Sequence, residues 1–214
     1  MSGIPNRKRG QAYPIQPASG APDRPMSGAV LAGGASRRMG QNKAELVLDG
    51  RTMLQIQVDK LRALGIEDIM LSGAGCPTLP GTRAVPDVFP GKGPLAGIHA
   101  CLRAAGHAAC LVVSVDVPLI PTVALARLCG AHRTGVTVLC HGGRKEPLIA
   151  VYDRSAAVPI QAMLERGEYA VRGLESTVPW SCSPYLGPEG LLINCNGPKD
   201  LAAVRRLVQA GAAL

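Results

Sequence analysis

An apolar stretch from Gly28 to Ala32 runs directly into two adjacent glycines, Gly33 and Gly34. Because neither glycine has a Cβ atom, the backbone can turn sharply there and come close to a ligand. Arg38 and Lys43 follow, and their positive charges suit a triphosphate. A strand that leads into a cationic glycine turn predicts a phosphate-binding site, and the alternative is a basic surface turn without a ligand.

A second candidate for chemistry is Asp116, which follows the continuous apolar run from Ala108 to Val115. Such a run is typical of a central strand that is buried on both faces. A carboxylate is costly to place at the end of a buried strand, and Mg²⁺ prefers one or two carboxylates together with substrate phosphates. We therefore predict that Asp116 binds Mg²⁺. The alternative is that it caps a helix beginning between Pro118 and Pro121.

The other candidates stand where predicted strands end. In an open α/β sheet, ligands bind beyond the carboxyl ends of the strands, so these residues are expected to line one crevice. They are Gly33 with Gly34, Ser72, Asp87, Asp116, and Asn194 with Asn196.

The order of the predicted elements indicates the fold class. Strands are predicted at residues 28–32, 66–71, 83–86 and 108–115, and helices at 52–64, 94–105 and after Pro121. This alternation is typical of an α/β protein with a doubly wound, mostly parallel, Rossmann-like sheet. Two further strands, 135–140 and 146–152, predict a small β-hairpin or flap insertion.

The two ends of the chain differ in character. Residues 1–25 are rich in Pro, Gly, Ser and Arg, and we expect a disordered tail followed by one domain over residues 26–214. Near the C-terminus we predict a helix at 155–166, a loop-rich insertion at 167–190, a last strand at 191–193 and a helix at 198–210.

Composition excludes several classes of protein. The net charge of +8 comes from dispersed basic residues without a recognition element, so we expect no specific nucleic-acid partner. No run of 18 apolar residues and no secretory signal is present, which predicts a cytoplasmic protein without a membrane segment. Seven cysteines without a C-x-x-C pair support neither a disulfide framework nor a zinc site, and they fit a reducing compartment.

The segment from Leu31 to Lys43 resembles the opening motif of nucleotidyltransferases that activate small phosphorylated molecules with a nucleoside triphosphate. The double glycine Gly33-Gly34 and the segment Arg38-Met39-Gly40 are most similar to those of molybdenum cofactor guanylyltransferases. The related cytidylyltransferases usually have Leu-Ala-Ala-Gly here, so the double glycine favours guanine. The fold implied by the resemblance is that of the nucleotidyltransferases.

Two more segments carry the same resemblance. Gly93-Pro94-Leu95-Ala96-Gly97, together with Asp87, is similar to the family's nucleotide-contacting element. Ser114-Val115-Asp116-Val117-Pro118 is similar to the segment whose aspartate holds magnesium. At Ser72 the guanylyl-transferring relatives commonly have Asn, and Ser keeps a hydrogen-bonding group with a shorter reach.

The acceptor side is implied by two segments nearer the C-terminus. The strand that begins with Glu146-Pro147 resembles the lid of the acceptor site, and a plain core strand is the alternative. Asn194 and Asn196 match a family motif in which Gly197 replaces Thr, a change that weakens the helix cap. These asparagines are expected to complete the acceptor or metal site, and ordinary turn chemistry is the alternative.

The activity implied by the resemblance is transfer of GMP from GTP to the phosphate of Mo-molybdopterin, with release of pyrophosphate. Mg²⁺ is the implied cofactor, and cofactor-insertion proteins and molybdoenzyme apoproteins are implied partners. Cytidylyl transfer, transfer to another phosphorylated acceptor, and a regulatory nucleotide-binding module are the alternatives. The implied catalytic residues are Arg38, Lys43 and Asp116. The implied nucleotide-binding residues are Leu31, Ala32, Gly33, Gly34, Lys43, Ser72, Asp87, Gly93, Pro94, Leu95 and Asp116.

Overall fold

A computed structural model of the chain describes residues 24–33, 42–73 and 75–214. Most of the predicted tail lies outside these ranges, and so do Gly34 and Arg38. Within the described ranges, no helix is both long and apolar enough to cross a membrane.

Strands and helices alternate through the first two thirds of the chain. The strands are β1 (Ser27–Leu31), β2 (Val47–Leu48), β3 (Arg51–Thr52), β4 (Ile69–Ser72), β5 (Thr82–Val85), β6 (Ala109–Ser114), β7 (Val136–His141), β8 (Arg144–Asp153) and β9 (Trp180–Pro184). The α-helices are α1 (Met53–Ala63), α2 (Pro94–Ala104), α3 (Thr122–Ala131), α4 (Ala157–Glu165) and α5 (Pro198–Gln209).

Seven of the described strands form one sheet in the order β5-β4-β1-β6-β8-β7-β9, and β2 and β3 form a separate pair. β1 is parallel to β4 and to β6, and β4 is parallel to β5. β8 runs antiparallel to both of its neighbours, while β7 and β9 are parallel to each other. The predicted doubly wound, mostly parallel sheet is confirmed, and the predicted hairpin is present as β7 and β8 within this sheet.

Two apolar layers cover the two faces of the sheet. One contains the buried face of α1 and of α3, with Leu54, Leu61 and Leu125 fully buried. The other contains α2 and α4, with Leu95 and Ile160 fully buried. Since both faces of β1 and β6 are covered, their side chains are apolar on both sides, as a buried parallel sheet requires.

Helix α1 begins as the sequence predicts. The Thr52 hydroxyl accepts a hydrogen bond from the amide of Gln55 at 3.1 Å, and the Gln55 side chain accepts one from the amide of Thr52 at 2.8 Å. This reciprocal capping box satisfies two amides that the first helical turn leaves free. It fixes the start of the helix that packs behind the site described below.

Two predictions near the C-terminus are wrong. Residues 191–193 do not form a strand, because Glu189–Leu192 is a 3₁₀ turn whose apolar side chains are only partly buried. A strand appears instead inside the predicted loop-rich insertion, at Trp180–Pro184. This is β9, an edge strand whose sequence Trp-Ser-Cys-Ser-Pro lacks the β-branched residues that mark strands, and its pairing with β7 defines it.

The expectation of reduced, unpaired cysteines is also wrong at one pair. Cys140 of β7 and Cys182 of β9 form a disulfide with a Cα–Cα distance of 5.7 Å. The two residues lie 42 positions apart, and the parallel pairing of β7 with β9 brings them together. Sequence spacing carries no sign of this contact.

Candidate functional site

Three neighbouring strands end level with one another. Leu31, the last residue of β1, is in register with Ser72 on one side and with Ser114 on the other. The pairing continues one residue further, because the amide of Ala32 donates to the Ser72 carbonyl at 2.8 Å. The segments that follow β1, β4 and β6 therefore leave the sheet at one edge, where ligands of such sheets bind.

A cluster of three side chains forms beyond the end of β6. The ammonium of Lys43 lies 3.2 Å from Oδ1 of Asp116. The same ammonium donates to Oδ1 of Asn196 at 2.7 Å. Lys43 and Asp116 have 17% and 27% of their side-chain surface exposed, so the pair is open to a ligand. The cluster joins three predicted site residues that are far apart in the chain.

A short helical turn positions Lys43. Residues Lys43–Glu45 form a 3₁₀ turn, and the Asn42 side chain caps it by accepting from the amide of Ala44 at 3.1 Å. Ala44 is completely buried in the core layer that contains α1. This anchor holds the backbone of Lys43 while its side chain extends to Asp116.

The segment 194–196 reaches Asp116 from the other side. The amide of Cys195 donates to the carbonyl of Asp116 at 2.7 Å, and the amide of Asn196 donates to the carboxylate of Asp200 at 3.0 Å. Asn194 contributes its backbone carbonyl, which accepts a weaker bond from the amide of Asn196 at 3.0 Å. The Asn196 side chain is thus in the cluster, and the contact found for Asn194 is ordinary turn chemistry.

The helix-cap alternative for Asp116 has no support in the structure. Helix α3 begins at Thr122 with Pro121 as the preceding cap residue, well beyond Asp116. The carboxylate of Asp116 contacts Lys43 instead.

Two residues behind Asp116 were not identified from the sequence. The side-chain amide of Gln57 donates to the carbonyls of Ser114 at 2.9 Å and Val117 at 2.8 Å. The ammonium of Lys60 donates to the carbonyl of Pro118. Both residues lie on the buried face of α1, and burial lowers the pKa of Lys60 to about 7. A polar residue at a core-facing helical position is the only signal that the sequence offered.

A second pair of side chains lies at the end of β4. The hydroxyl of Ser72, which is 3% exposed, donates to Oδ1 of Asp87 at 3.1 Å. Ser72 therefore holds Asp87 through a short side chain. Helix α2 begins at the same edge with Pro94, after Gly93 at a φ of 77°. Because no side chain caps this helix start, its free amides favour an anion.

Gly33 and Gly73 lie so close together that a Cβ atom on either would crowd the backbone of the other. A Cβ on Gly73 would lie 2.6 Å from the amide nitrogen of Gly33, and a Cβ on Gly33 would lie 3.1 Å from the Cα of Gly73. The loops after β1 and β4 therefore pack backbone against backbone. Close packing is thus one reason for glycine at position 33, in addition to its predicted ligand contact.

The contacts found for the predicted acceptor residues of β8 lie within the sheet. Pro147 uses its carbonyl to accept from the Tyr152 hydroxyl at 2.7 Å, and Glu146 is paired with Leu139 beside a bulge in the ladder. In the part of the chain that the structure describes, neither residue forms a hydrogen bond or ion pair with Lys43, Asp116 or Asn196. Their assignment to the acceptor stays a prediction.

The donor set suits a cation whose remaining ligands come from a substrate. Among the described residues, no group of three His, Cys, Asp or Glu side chains could hold a metal ion by itself. Asp116 offers a partly exposed carboxylate, and Asn196 offers an amide oxygen beside it. Mg²⁺ bound to nucleotides commonly takes one or two protein oxygens and completes its shell with phosphates and water, so these residues fit it.

The buried ammonium of Lys60 leads to a prediction about pH. Its pKa is about 7 in the folded protein and about 10.4 in an unfolded chain, so the unfolded state binds the extra proton between these values. Stability should therefore rise with pH in this window, by up to about 1.4 kcal/mol per unit. The free energy of unfolding of the wild type and of Lys60→Met, measured at pH 7, 8 and 9, checks this. Parallel profiles for the two proteins would contradict it.

Gly97 on α2 leads to a second prediction. An added Cβ would lie 2.5 Å from the Ser72 hydroxyl oxygen and 3.5 Å from the Ser72 Cβ. Gly97→Ala should therefore turn the hydroxyl away from Asp87, at a cost of about 1 kcal/mol that offsets the gain in helix propensity. In a Ser72→Ala background only the gain remains. The free energies of unfolding in urea of the wild type, the two single variants and the double variant should show a coupling energy of about 1 kcal/mol. Additive effects of the two substitutions would contradict the assigned contact.

Comparison with known proteins shows which proteins this chain resembles. Residues 28–178 match the family model of the MobA-like NTP transferase domain. A probable molybdenum cofactor guanylyltransferase from Pelotomaculum thermopropionicum is 34% identical over 194 residues, covering 86% of this chain and 93% of the relative. A second protein of that description, from Opitutus terrae, is 40% identical over 154 residues, covering 69% of this chain and 76% of the relative.

The solved structures show a corresponding fold. Molybdopterin-guanine dinucleotide biosynthesis protein A from Archaeoglobus fulgidus superposes with a TM-score of 0.71 at 23% identity, over 86% of this chain and 100% of that protein. The sequence matches extend over most of the sheet and include the strand ends that carry Ser72, Asp87 and Asp116. The chain belongs to the MobA-like NTP transferase domain family of nucleotidyltransferases.

Proposed function

We propose that this protein transfers GMP from GTP to the phosphate of Mo-molybdopterin and releases pyrophosphate. The single observation that carries the proposal is the Lys43–Asp116–Asn196 cluster beyond the end of β6, at the sheet edge where β1 also ends. Relatives that cover most of the chain are described as molybdenum cofactor guanylyltransferases, and this supports guanine as the base.

The reaction needs no nucleophile from the protein. An oxygen of the acceptor phosphate attacks the α-phosphorus of GTP in line, a new P–O bond forms, and the bond to the β-phosphate bridging oxygen breaks. The electron pair leaves with pyrophosphate. What the protein must supply is alignment of the two phosphates and compensation of the growing negative charge.

Lys43 is the described residue best suited to that compensation. Its ammonium is fixed at its base by the turn 43–45 and carries a full positive charge at the sheet edge. A lysine acts on phosphate as a point charge, so it serves any nucleoside triphosphate alike. Arg38, which lies outside the described residues, is assigned the same role from the sequence.

Asp116 and Asn196 would hold Mg²⁺. When bound, the ion would neutralise phosphate charge and polarise the α-phosphoryl group. The carboxylate of Asp116 now has Lys43 as its partner, so an arriving cation and the ammonium would share one anionic group. The carboxylate thus orders both positive charges around the triphosphate.

Asp87 and the start of α2 are assigned to the nucleoside side. Asp87 follows β5 and is held by Ser72 at the end of β4, so it lies on the other side of β1 from Asp116, which follows β6. A carboxylate at this distance from the cationic cluster suits hydrogen-bond donors of a base or ribose better than phosphates. Leu31, Ala32, Gly93, Pro94 and Leu95 are the neighbouring predicted contacts.

The proposal is tested by the identity of the nucleotide and by two variants. The purified protein is incubated with Mo-molybdopterin, Mg²⁺ and either GTP or CTP, and the dinucleotide product is quantified. We expect a preference for GTP. Asp116→Asn and Lys43→Ala should each lower kcat/KM for GTP by about 10²- to 10³-fold, because each removes a charge that acts on the transition state.

The matched control is Asp59→Asn, which removes a carboxylate from the exposed side of α1, where it pairs with Arg51 and Arg62. It should leave kcat/KM unchanged. A wild-type preference for CTP would replace guanylyl by cytidylyl transfer, and full activity in Asp116→Asn would remove that residue from the reaction.

A further inference from the structure

The turn that carries Asp116 is held from inside the protein. Residues 115–121 link β6 to α3 without regular structure. Two of their carbonyls, and the Ser114 carbonyl just before them, accept hydrogen bonds from side chains of α1. One side-chain amide, that of Gln57, donates to Ser114 and to Val117, which flank Asp116 on both sides. Lys60, one helical turn further along, donates to Pro118. The turn is therefore fixed at three carbonyls by two side chains.

Both donors are buried at a cost that packing alone does not explain. Gln57 is 0% exposed and Lys60 is 4% exposed. The Oε1 atom of Gln57 has no hydrogen-bond partner in the described part of the chain. Leu or Met at these positions would fill the same volume without an unpaired oxygen or a desolvated ammonium. A need of the turn for their hydrogen bonds would explain why Gln57 and Lys60 are polar.

The contacts fix Asp116 from two directions. The amide of Gln57 donates to both the Ser114 and the Val117 carbonyl, and the Cys195 amide of the C-terminal segment donates to the Asp116 carbonyl at 2.7 Å. With its backbone fixed in this way, Asp116 retains freedom only in its side-chain torsions. A ligand that binds a cation must be held in this manner for the cation to be well placed.

We propose that Gln57 and Lys60 are positioning residues, which act through the 114–118 turn to aim the Asp116 carboxylate at the magnesium of the bound nucleotide. The inference rests on the proposed function for its catalytic consequence. Its structural part, that the turn loses order without these donors, stands by itself.

The first experiment compares Gln57→Met with Ile56→Val. Met keeps the length of Gln and removes both donors, whereas Ile56→Val trims a fully buried neighbour on α1 whose side chain has no hydrogen-bond donor. We expect Gln57→Met to lower kcat about 10- to 100-fold and to raise the Mg²⁺ concentration for half-maximal activity, as loss of a ligand's supporting partner does. The KM for GTP should stay within about twofold. Ile56→Val should change none of these values.

Lys60 provides a second pair of variants. Lys60→Met removes the donor to Pro118, and Lys60→Arg keeps a donor at that position. Lys60→Met should raise the Mg²⁺ requirement in the same direction as Gln57→Met, and Lys60→Arg should restore part of the loss. Equal behaviour of Gln57→Met, Lys60→Met and Ile56→Val at matched thermal stability would overturn the inference.

Amide hydrogen exchange separates this inference from the proposed function. Gln57→Met should speed exchange at residues 115–120 while leaving β1 protected, and Ile56→Val should not. If the wild type transfers no nucleotide, the proposed function fails. Amide exchange at residues 115–120 then still tests whether Gln57 orders the turn. If the wild type is active and exchange at 115–120 is unchanged in Gln57→Met, the inference fails while the function stands.

Discussion

The position of β1 between two parallel neighbours is the constraint on which the site depends. β1 pairs with β4 and with β6 in a register that ends all three strands together. Chemically different residues therefore stand at one edge: Gly33 after β1, Ser72 at the end of β4, and Asp116 after β6. A slip of one residue in either pairing would turn the end of a strand to the opposite face and separate these groups.

The charges within the cluster contribute little to the stability of the fold. Lys43 and Asp116 are partly exposed, and such an ion pair contributes on the order of 0–1 kcal/mol to folding. Its other effect is geometric, because the ammonium also donates to Asn196 and so joins the loop after β1 to the C-terminal segment. The pairing keeps both charges ordered at the edge without burying either of them, and a phosphate can still reach them.

Residues at strand ends could be predicted from the sequence, because an apolar run followed by a polar residue marks the end of a strand directly. Ser72, Asp87 and Asp116 follow strands that end at one edge, as that reasoning requires. Asn196 reaches the same cluster although the strand predicted before it is absent. Gln57 and Lys60 could not be identified, since a polar residue on a helix is ordinarily solvated and only the tertiary packing of α1 shows that these two are buried. β9 and the Cys140–Cys182 pair were missed for a related reason: both follow from pairing across the sheet, which local sequence does not encode.

The two carboxylates of the edge are held from opposite faces of the sheet. Asp116 is held through its backbone by α1, in the layer that also contains α3. Asp87 is held through the hydroxyl of Ser72, which lies against Gly97 of α2 in the other layer. Each helix thus positions one acidic group, and the sheet between them fixes the distance from one to the other. Since a packed α/β sheet resists deformation, this arrangement keeps the two carboxylates at a fixed separation. The unpaired oxygen of Gln57 and the buried ammonium of Lys60 both lower the stability of the fold. On the proposed positioning role, this loss of stability at α1 is the cost of placing the Asp116 carboxylate.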